Sequence, residues 1–399
     1  MTIASGPLDG FRVLDACDEL AVYATRLLVN LGAEVVRLEP PGGDPMRRFP
    51  PVVDGVSLYN EHFNAGKRSL TLDLSAGDGI AWLGRLLATC HAVVESGPAD
   101  GLLSTRVGAE RLREFRPDLV IVSVTPFGLN GPRRGNSGGD LVVSAESGLL
   151  ALNGRPDGPP HRPGGEQAAH MAGLQAANAA LMGIFDQQRN GRGCHVEVPA
   201  NFAATLSTLQ TGNANAYTWQ GRVPKRRGMG MPAFRSLYEA ADGWIVLIAL
   251  PGQWDNLVRL LAAHDAEADL AAPEYQDGQH RFAHAEHING VIGAFTQCHD
   301  KQYLFETAQA AGVACTPVNY PSDIVADPFL AQRSFFREVE HPRLNRNLTY
   351  SGPPFQFADR PVGVWTVAPE TGQDNQAIWA DELGMAADTL ATLDRTRGS

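Results

Sequence analysis

The residues best suited to chemistry in this chain are basic ones crowded near its start: Arg37, Arg47 and Arg48, then Lys67 and Arg68. Lysine and arginine total 33 against 44 acidic residues, a formal net charge of −11, so the cluster is a local departure from an acidic background. Guanidinium groups pair phosphate oxygens bidentately, and ligands of open α/β sheets bind beyond the strand ends. The arrangement reads as a pocket for a polyphosphate, with ordinary ion pairs as the competing reading. The acidic whole repels duplex nucleic acid and anionic membranes, so neither is expected as a partner.

Other constellations carry less. Gly135-Asn136-Ser137-Gly138-Gly139 satisfies the G-x-S-x-G string of serine hydrolases, but Pro132, Arg133 and Arg134 precede it and Asp140 follows, so the strand-turn-helix context is missing. His280, His284 and His287 have the spacing of one helix face, yet nothing in the sequence completes a ligand shell, and no metal is expected. Glu39 stands where a ribose-binding acid would follow a strand-helix-strand unit. The turn before it contains Asp15, Cys17, Asp18 and Glu19 and no glycine, so a pyrophosphate is repelled rather than cradled.

The elements that must position these residues alternate. Residues 11–16 (FRVLDA) read as a buried strand, 21–31 as a helix stopped by Gly32, and 34–38 as a second strand. Helices over 79–89 and 109–115 and strands over 92–94 and 119–124 repeat the pattern, which implies a parallel sheet. Residues 168–187, rich in Ala, Met and Leu and followed by Arg189-Asn190-Gly191, form a long buried helix with a glycine stop. Residues 216–228, with Arg222, Lys225, Arg226 and Arg227 and no apolar period, read as a linker. WIVLIAL (244–250) then opens a smaller unit, and Pro317, Pro321 and Pro328 mark the exit from it. The expected organisation is a large domain from 1–215 and 321–399 with a small domain, 229–320, inserted.

Hydrophobic residues at 44% and charged residues at 19% place the chain among ordinary globular proteins. Its 5 cysteines are scattered and odd in number, which argues against a disulfide framework and for a reducing cytoplasm. The first residues have no basic and apolar leader, and no apolar run reaches the length of about 18 residues that a membrane span requires. A cytoplasmic enzyme is expected.

Several segments resemble family III coenzyme A transferases, the group that includes formyl-CoA transferase, the CaiB/BaiF proteins and α-methylacyl-CoA racemases. They are PLDGFRVLD (7–15), LGAEVVRLEPPGGDP (31–45), NAGKRSLTLDL (64–74), DLVV with Ser147-Gly148, RNGRG (189–193) and AGVACTPV (311–318), in order over about residues 7–357. The resemblance implies an α/β fold: a large Rossmann-like domain built from both chain ends, an inserted smaller α+β domain, and two subunits linked as rings. It implies acyl-CoA as substrate, with no permanently bound cofactor, and a carboxylic acid as acceptor. Carried over by position, Arg37, Leu72 and Arg106 match CoA contacts, the turn Asp18, Glu19, Leu20, Ala21 matches the loop beside the pantetheine, and Ser96 stands where the family has an asparagine.

In the family an aspartate attacks the thioester carbonyl to give a mixed anhydride; the released CoA thiolate then converts it to an enzyme thioester, from which the acceptor acid takes CoA. A carboxylate suits both the attack and the departure. The matching position, four residues before Gly173, is Ala169, which cannot attack. The racemase acid and base positions read Ala169, Gly139 and Pro251, which argues against racemisation. Three readings follow: a transferase using Glu166, one helical turn before Ala169; an inactive CoA-binding subunit paired with an active relative in a heterodimer, where the resemblance otherwise implies a homodimer; or another acyl-CoA reaction, an isomerisation or dehydration, using Asp140, Glu146 or His170.

Overall fold

The computed structural model describes residues 6–209, 213–223, 226 and 235–395. The chain divides into two units, one comprising Met1–Leu150, Arg162–Val223 and Phe329–Ser399, the other Ala151–His161 and Pro224–Pro328.

The first unit is built on six parallel strands: β1 Arg12–Ala16, β2 Glu34–Glu39, β3 Arg68–Thr71, β4 Ala92–Ser96, β5 Val120–Thr125 and β6 Cys194–Pro199. Their spatial order is β3-β2-β1-β4-β5-β6, the doubly wound order that reverses between β1 and β4. Parallel neighbours need crossovers, and the helices that supply them cover both faces. Helices α1 Val22–Asn30, α2 Leu58–Asn64, α3 Gly79–Leu87, α4 Ala109–Phe115, α5 Asp140–Glu146, α6 Gln167–Asn190 and α7 Ala200–Leu209 belong to this unit, followed by α8 Asn213–Gln220.

Side chains alternate across the sheet, so each strand feeds two cores. Val13, Val35, Val94 and Val122 face α1 and the alanines of α6, while Leu14, Val36, Val93 and Ile121 face Leu83, Leu87 and Leu112 together with Ile378 and Trp379 from the far end of the chain. The C-terminal segment is tied to the sheet edge by Asp374, whose carboxylate accepts the Ser69 N–H at 2.8 Å and pairs with Arg68. The alanines of α6 allow close approach: a Cβ on Gly173 would lie 3.0 Å from the Tyr23 Cβ of α1.

The second unit has a three-stranded antiparallel sheet, β7 Arg235–Ala240, β8 Gly243–Ile248 and β9 Ala314–Pro317, in the order β9-β8-β7. Helices α9 Trp254–Ala262, α10 Gly278–Ala283, α11 Ala285–Thr296 and α12 Lys301–Ala310 bury Leu257, Leu261, Ile288, Ile292 and Leu304 against Ile245 and Leu247. Two strands of the first unit, β10 Phe336–His341 and β11 Arg346–Ser351, form a separate hairpin.

Two sequence readings differ from the structure. The segment expected as a linker begins inside α8, whose alanines favour helix without an apolar period. Arg226 there donates to the carbonyls of Arg155 and Gly158, whereas Lys225 and Arg227 lie outside the described residues. The histidines do not share one helix face, because the helix breaks at His284, with φ −105° and ψ 26°. His280 and His284 stack with centroids 4.0 Å apart, and His287 turns to Asp269 at 2.5 Å. No helix among the described residues is long and apolar enough to cross a membrane.

Candidate functional site

At the reversal point between β1 and β4 lies a cleft of about 460 Å³. It is lined by the ends of the strands and the loops after them, among them Asp18, Leu72, Ser96 and Arg106 of the residues singled out from the sequence. The turn after β1 is held from β4: the Asp18 N–H donates to Ser96 Oγ at 2.9 Å, and the Ser96 hydroxyl returns its proton to Asp18 Oδ1 at 2.5 Å. Asp18 Oδ1 also accepts the Leu20 N–H at 3.0 Å. Burial raises the Asp18 pKa, against the pull of Ser96. Leu20 and Ala21 turn inward and join the core, so any part they play is as backbone. Glu19 is half-buried, and burial, then Asp18, raise its pKa.

The expected basic patch is mostly neutralised. Arg37 is 2% exposed, with Nη1 on Asp15 at 2.9 Å and Nη2 on Asp44 at 2.5 Å. Lys67 is buried on the other oxygen of Asp15 at 2.7 Å, Arg47 pairs with Glu39 at 2.5 Å, and Arg68 pairs with Glu34 at 2.7 Å. The reason is register: Asp15 stands beside Arg37 across β1 and β2, and a carboxylate in the sheet interior must take the nearest cations. Arg37 therefore holds Asp44, a wall of the cleft, rather than lining the cleft itself. Arg106 is exposed and, among the described residues, is the cation that lines it.

A larger cleft of about 650 Å³ lies elsewhere on the same unit, lined by Arg47, Ser57, Asn60, Glu61 and Arg343 among others. Its cations face Glu39 and Glu370, and it is not at the sheet reversal. The smaller cleft is the better candidate on both counts.

The second part of the site is the start of α6. Ala169 is 4% exposed and packed in the core beside Ala168 and Ala172. The helix is capped from a distance by Asp140: Oδ1 accepts the N–H groups of Ala168 at 2.9 Å and Ala169 at 3.1 Å, and Oδ2 pairs with Arg162 at 2.9 Å. With both oxygens engaged, Asp140 is a cap rather than the free proton-transfer group expected as one alternative. Glu166, just before the helix, is half-buried and accepts the Tyr59 hydroxyl at 2.8 Å. Burial, then Glu166, push the Tyr59 pKa upward. His170 donates Nδ1–H to the Glu166 carbonyl at 2.6 Å and sits edge-on to Tyr23. Glu146 faces Arg133. Glu19 follows Asp18 in the turn after β1, and a Cβ at Gly139, just before α5, would lie 3.6 Å from its Oε1.

Sequence reading missed Tyr59 and Glu95, and it took Lys67 for a ligand-binding cation and Asp15 for a turn residue without seeing that the two pair. Asp15 and Glu95 had a signal, each being a lone charge inside an apolar strand; Tyr59 had none. The G-x-S-x-G segment is loop up to the start of α5, as its context indicated. Among the described residues no His, Cys, Asp and Glu side chains gather to hold a metal ion.

The comparisons with known proteins converge on this fold. The chain is 34% identical to the succinyl-CoA:(R)-benzylsuccinate CoA-transferase subunit BbsE of Thauera aromatica, with 96% of each chain covered. It is 30% identical to succinyl-CoA:mesaconate CoA-transferase of Haloarcula hispanica, covering 96% of this chain and 98% of that one. A crystal structure of a CAIB/BAIF family protein from Brucella suis superposes with a TM-score of 0.83 at 25% identity, over 94% of this chain and 99% of that one. The family model described as CoA-transferase family III matches residues 8–375, and with these relatives along nearly its whole length the chain belongs to that family.

Proposed function

We propose that the chain takes part in CoA transfer between a succinyl-CoA-type donor and a carboxylic acid, as the subunit that binds the thioester without supplying the nucleophile. One observation carries this reading: at the start of α6, where the family resemblance calls for an aspartate, Ala169 presents a buried methyl group while the neighbouring carboxylate of Asp140 is spent on capping and on Arg162. An acyl transfer through an anhydride needs a free carboxylate at the carbonyl. On this reading it comes from another chain.

The surface supports such a partner. Leu174, Met182 and Phe185 of α6 with Phe202 and Leu206 of α7 are between 47% and 67% exposed. Large apolar side chains gathered on adjoining helices are characteristic of a subunit interface. A relative named as a subunit, BbsE, and another named as the beta subunit of a succinyl-CoA–L-malate CoA-transferase support a heteromer over a homodimer. A cytoplasmic location fits CoA thioesters as substrates.

A second reading keeps the chain active through Glu166. The Tyr59–Glu166 hydrogen bond favours it, because it fixes a half-buried carboxylate one turn before Ala169. Intact-mass spectrometry after incubation with succinyl-CoA separates the two. The subunit reading expects no covalent adduct on the isolated chain and a hydroxylamine-sensitive one after Ala169→Asp. An adduct on the wild-type chain that disappears in Glu166→Gln overturns it in favour of Glu166.

A further inference from the structure

Glu95 is fully buried in β4 and has no cation on it among the described residues. Its carboxylate is satisfied by neutral donors. Oε1 accepts the Ser123 hydroxyl at 2.5 Å from the adjacent register position of β5, and Oε2 accepts the backbone N–H of Ser104 at 3.1 Å. The single hydroxyl hydrogen of Ser123 is thereby engaged, so its oxygen accepts from the Ser104 hydroxyl at 3.2 Å and from Nε2–H of His195 at 2.8 Å. The chain of bonds runs from the sheet interior to an exposed imidazole on the edge strand.

Removing a carboxylate from water is costly, and an apolar residue at this position would avoid that cost. Its compensation is directional. Ser104 opens the single helical turn Ser104–Gly108, and the segment before and within that turn contributes Leu102, Leu103 and Arg106 to the cleft. The turn is closed on itself by the Thr105 and Arg106 N–H groups, both on the Leu102 carbonyl. A charge-assisted bond to the first residue of so compact a segment fixes where Arg106 stands relative to the strand ends.

We infer that Glu95 is a positioning residue for the CoA cleft, acting through Ser104 and Ser123 to hold Arg106 against the anionic part of the ligand. The inference rests on the reading of this cleft as the CoA site. Calorimetric titration of the full-length protein with CoA tests both separately. Arg106→Ala and Glu95→Ala are each expected to weaken CoA by about tenfold, and the double variant to be no weaker than Arg106→Ala alone, since coupled residues are non-additive. Glu95→Gln, whose amide oxygen still accepts from Ser104, is expected to restore affinity to within about threefold. Loss of fold would not reproduce that rescue. Should Glu95→Ala fail to fold, Ser123→Ala is expected to weaken CoA by about threefold, and unchanged affinity there overturns the inference. A Glu95→Ala protein that binds like wild type, or loses the same factor with and without Arg106, overturns the positioning role and leaves the cleft intact. Wild-type protein that does not bind CoA overturns the cleft assignment itself.

Discussion

The carboxylate of Asp140 sits 3.1 Å from the backbone nitrogen of Ala169, closing the first turn of α6 from another helix. A helix begins with N–H groups that have no partner of their own, and a carboxylate there is stabilised by the helix dipole as well. Asp140→Ala is therefore expected to cost about 1–2 kcal/mol, measured as a lower urea midpoint with an unchanged slope. Asp140→Asn, which keeps an acceptor, should recover most of the loss. Equal losses in both variants would mean that the pairing with Arg162 matters more than the cap.

Acid should weaken the fold through Asp15. Burial favours its neutral form, but Arg37 and Lys67 outweigh burial and hold its pKa well below the ordinary value. The folded state then gives up a proton that the unfolded state keeps, so this contribution is complete above about pH 4 and is lost as pH falls through the lower folded value. Asp15→Asn should flatten the pH dependence of the urea midpoint in that range. At neutral pH it should destabilise by about 3 kcal/mol, because two buried cations lose their shared partner.

Glycine-to-alanine changes in two helices should have opposite signs. Alanine favours helix by about 1 kcal/mol over glycine. In α6 a Cβ at Gly183 would lie 2.5 Å from Val120 Cγ1 in the sheet core, and the overlap should exceed that gain, for a net loss of about 1 kcal/mol. In α11 nothing lies within 4 Å of a Cβ at Gly290, and the change there should stabilise. Thermal unfolding of both variants checks the pair; a stabilising Gly183→Ala would mean that α6 shifts from the sheet more freely than its packing implies.

The apolar residues left outward on α6 and α7 should govern assembly. Phe185→Glu with Phe202→Glu is expected to yield a smaller species in analytical ultracentrifugation while the circular dichroism of the single chain is retained. An unchanged sedimentation coefficient would move the subunit contact away from this face.

Ionic strength reports on the cleft. Because Arg106 is its unpaired cation among the described residues, CoA affinity should fall only modestly between low and physiological salt, on the scale of one screened contact. A steep decline would show that Arg37, Arg47 or Lys67 leaves its carboxylate when the ligand binds.

The strand-helix-strand opening, the long alanine helix and its glycine stop were legible along the chain because local periodicity and end signals produce them. Residues 11–16 and 34–38 fell almost on the observed strands, whereas Arg68–Thr71 and Cys194–Pro199 passed unnoticed, being a short edge strand and one interrupted by polar residues. Leu72, Ser96 and Arg106 were named through family resemblance rather than through any local pattern, and they line one cleft.

By itself the sequence determined the alternation of elements, the acidic background and the alanine at position 169. Only the tertiary structure decided what the charges do. Arg37 and Lys67 look like ligand-binding cations on paper, yet the parallel register of β1, β2 and β3 brings them onto Asp15 from positions 22 and 52 residues away. The same holds for Glu95 with Ser104 and Ser123. Ion pairing and buried hydrogen bonding fall off over a few ångströms, and which groups come that close depends on strand order, which is not written in any local window of the chain.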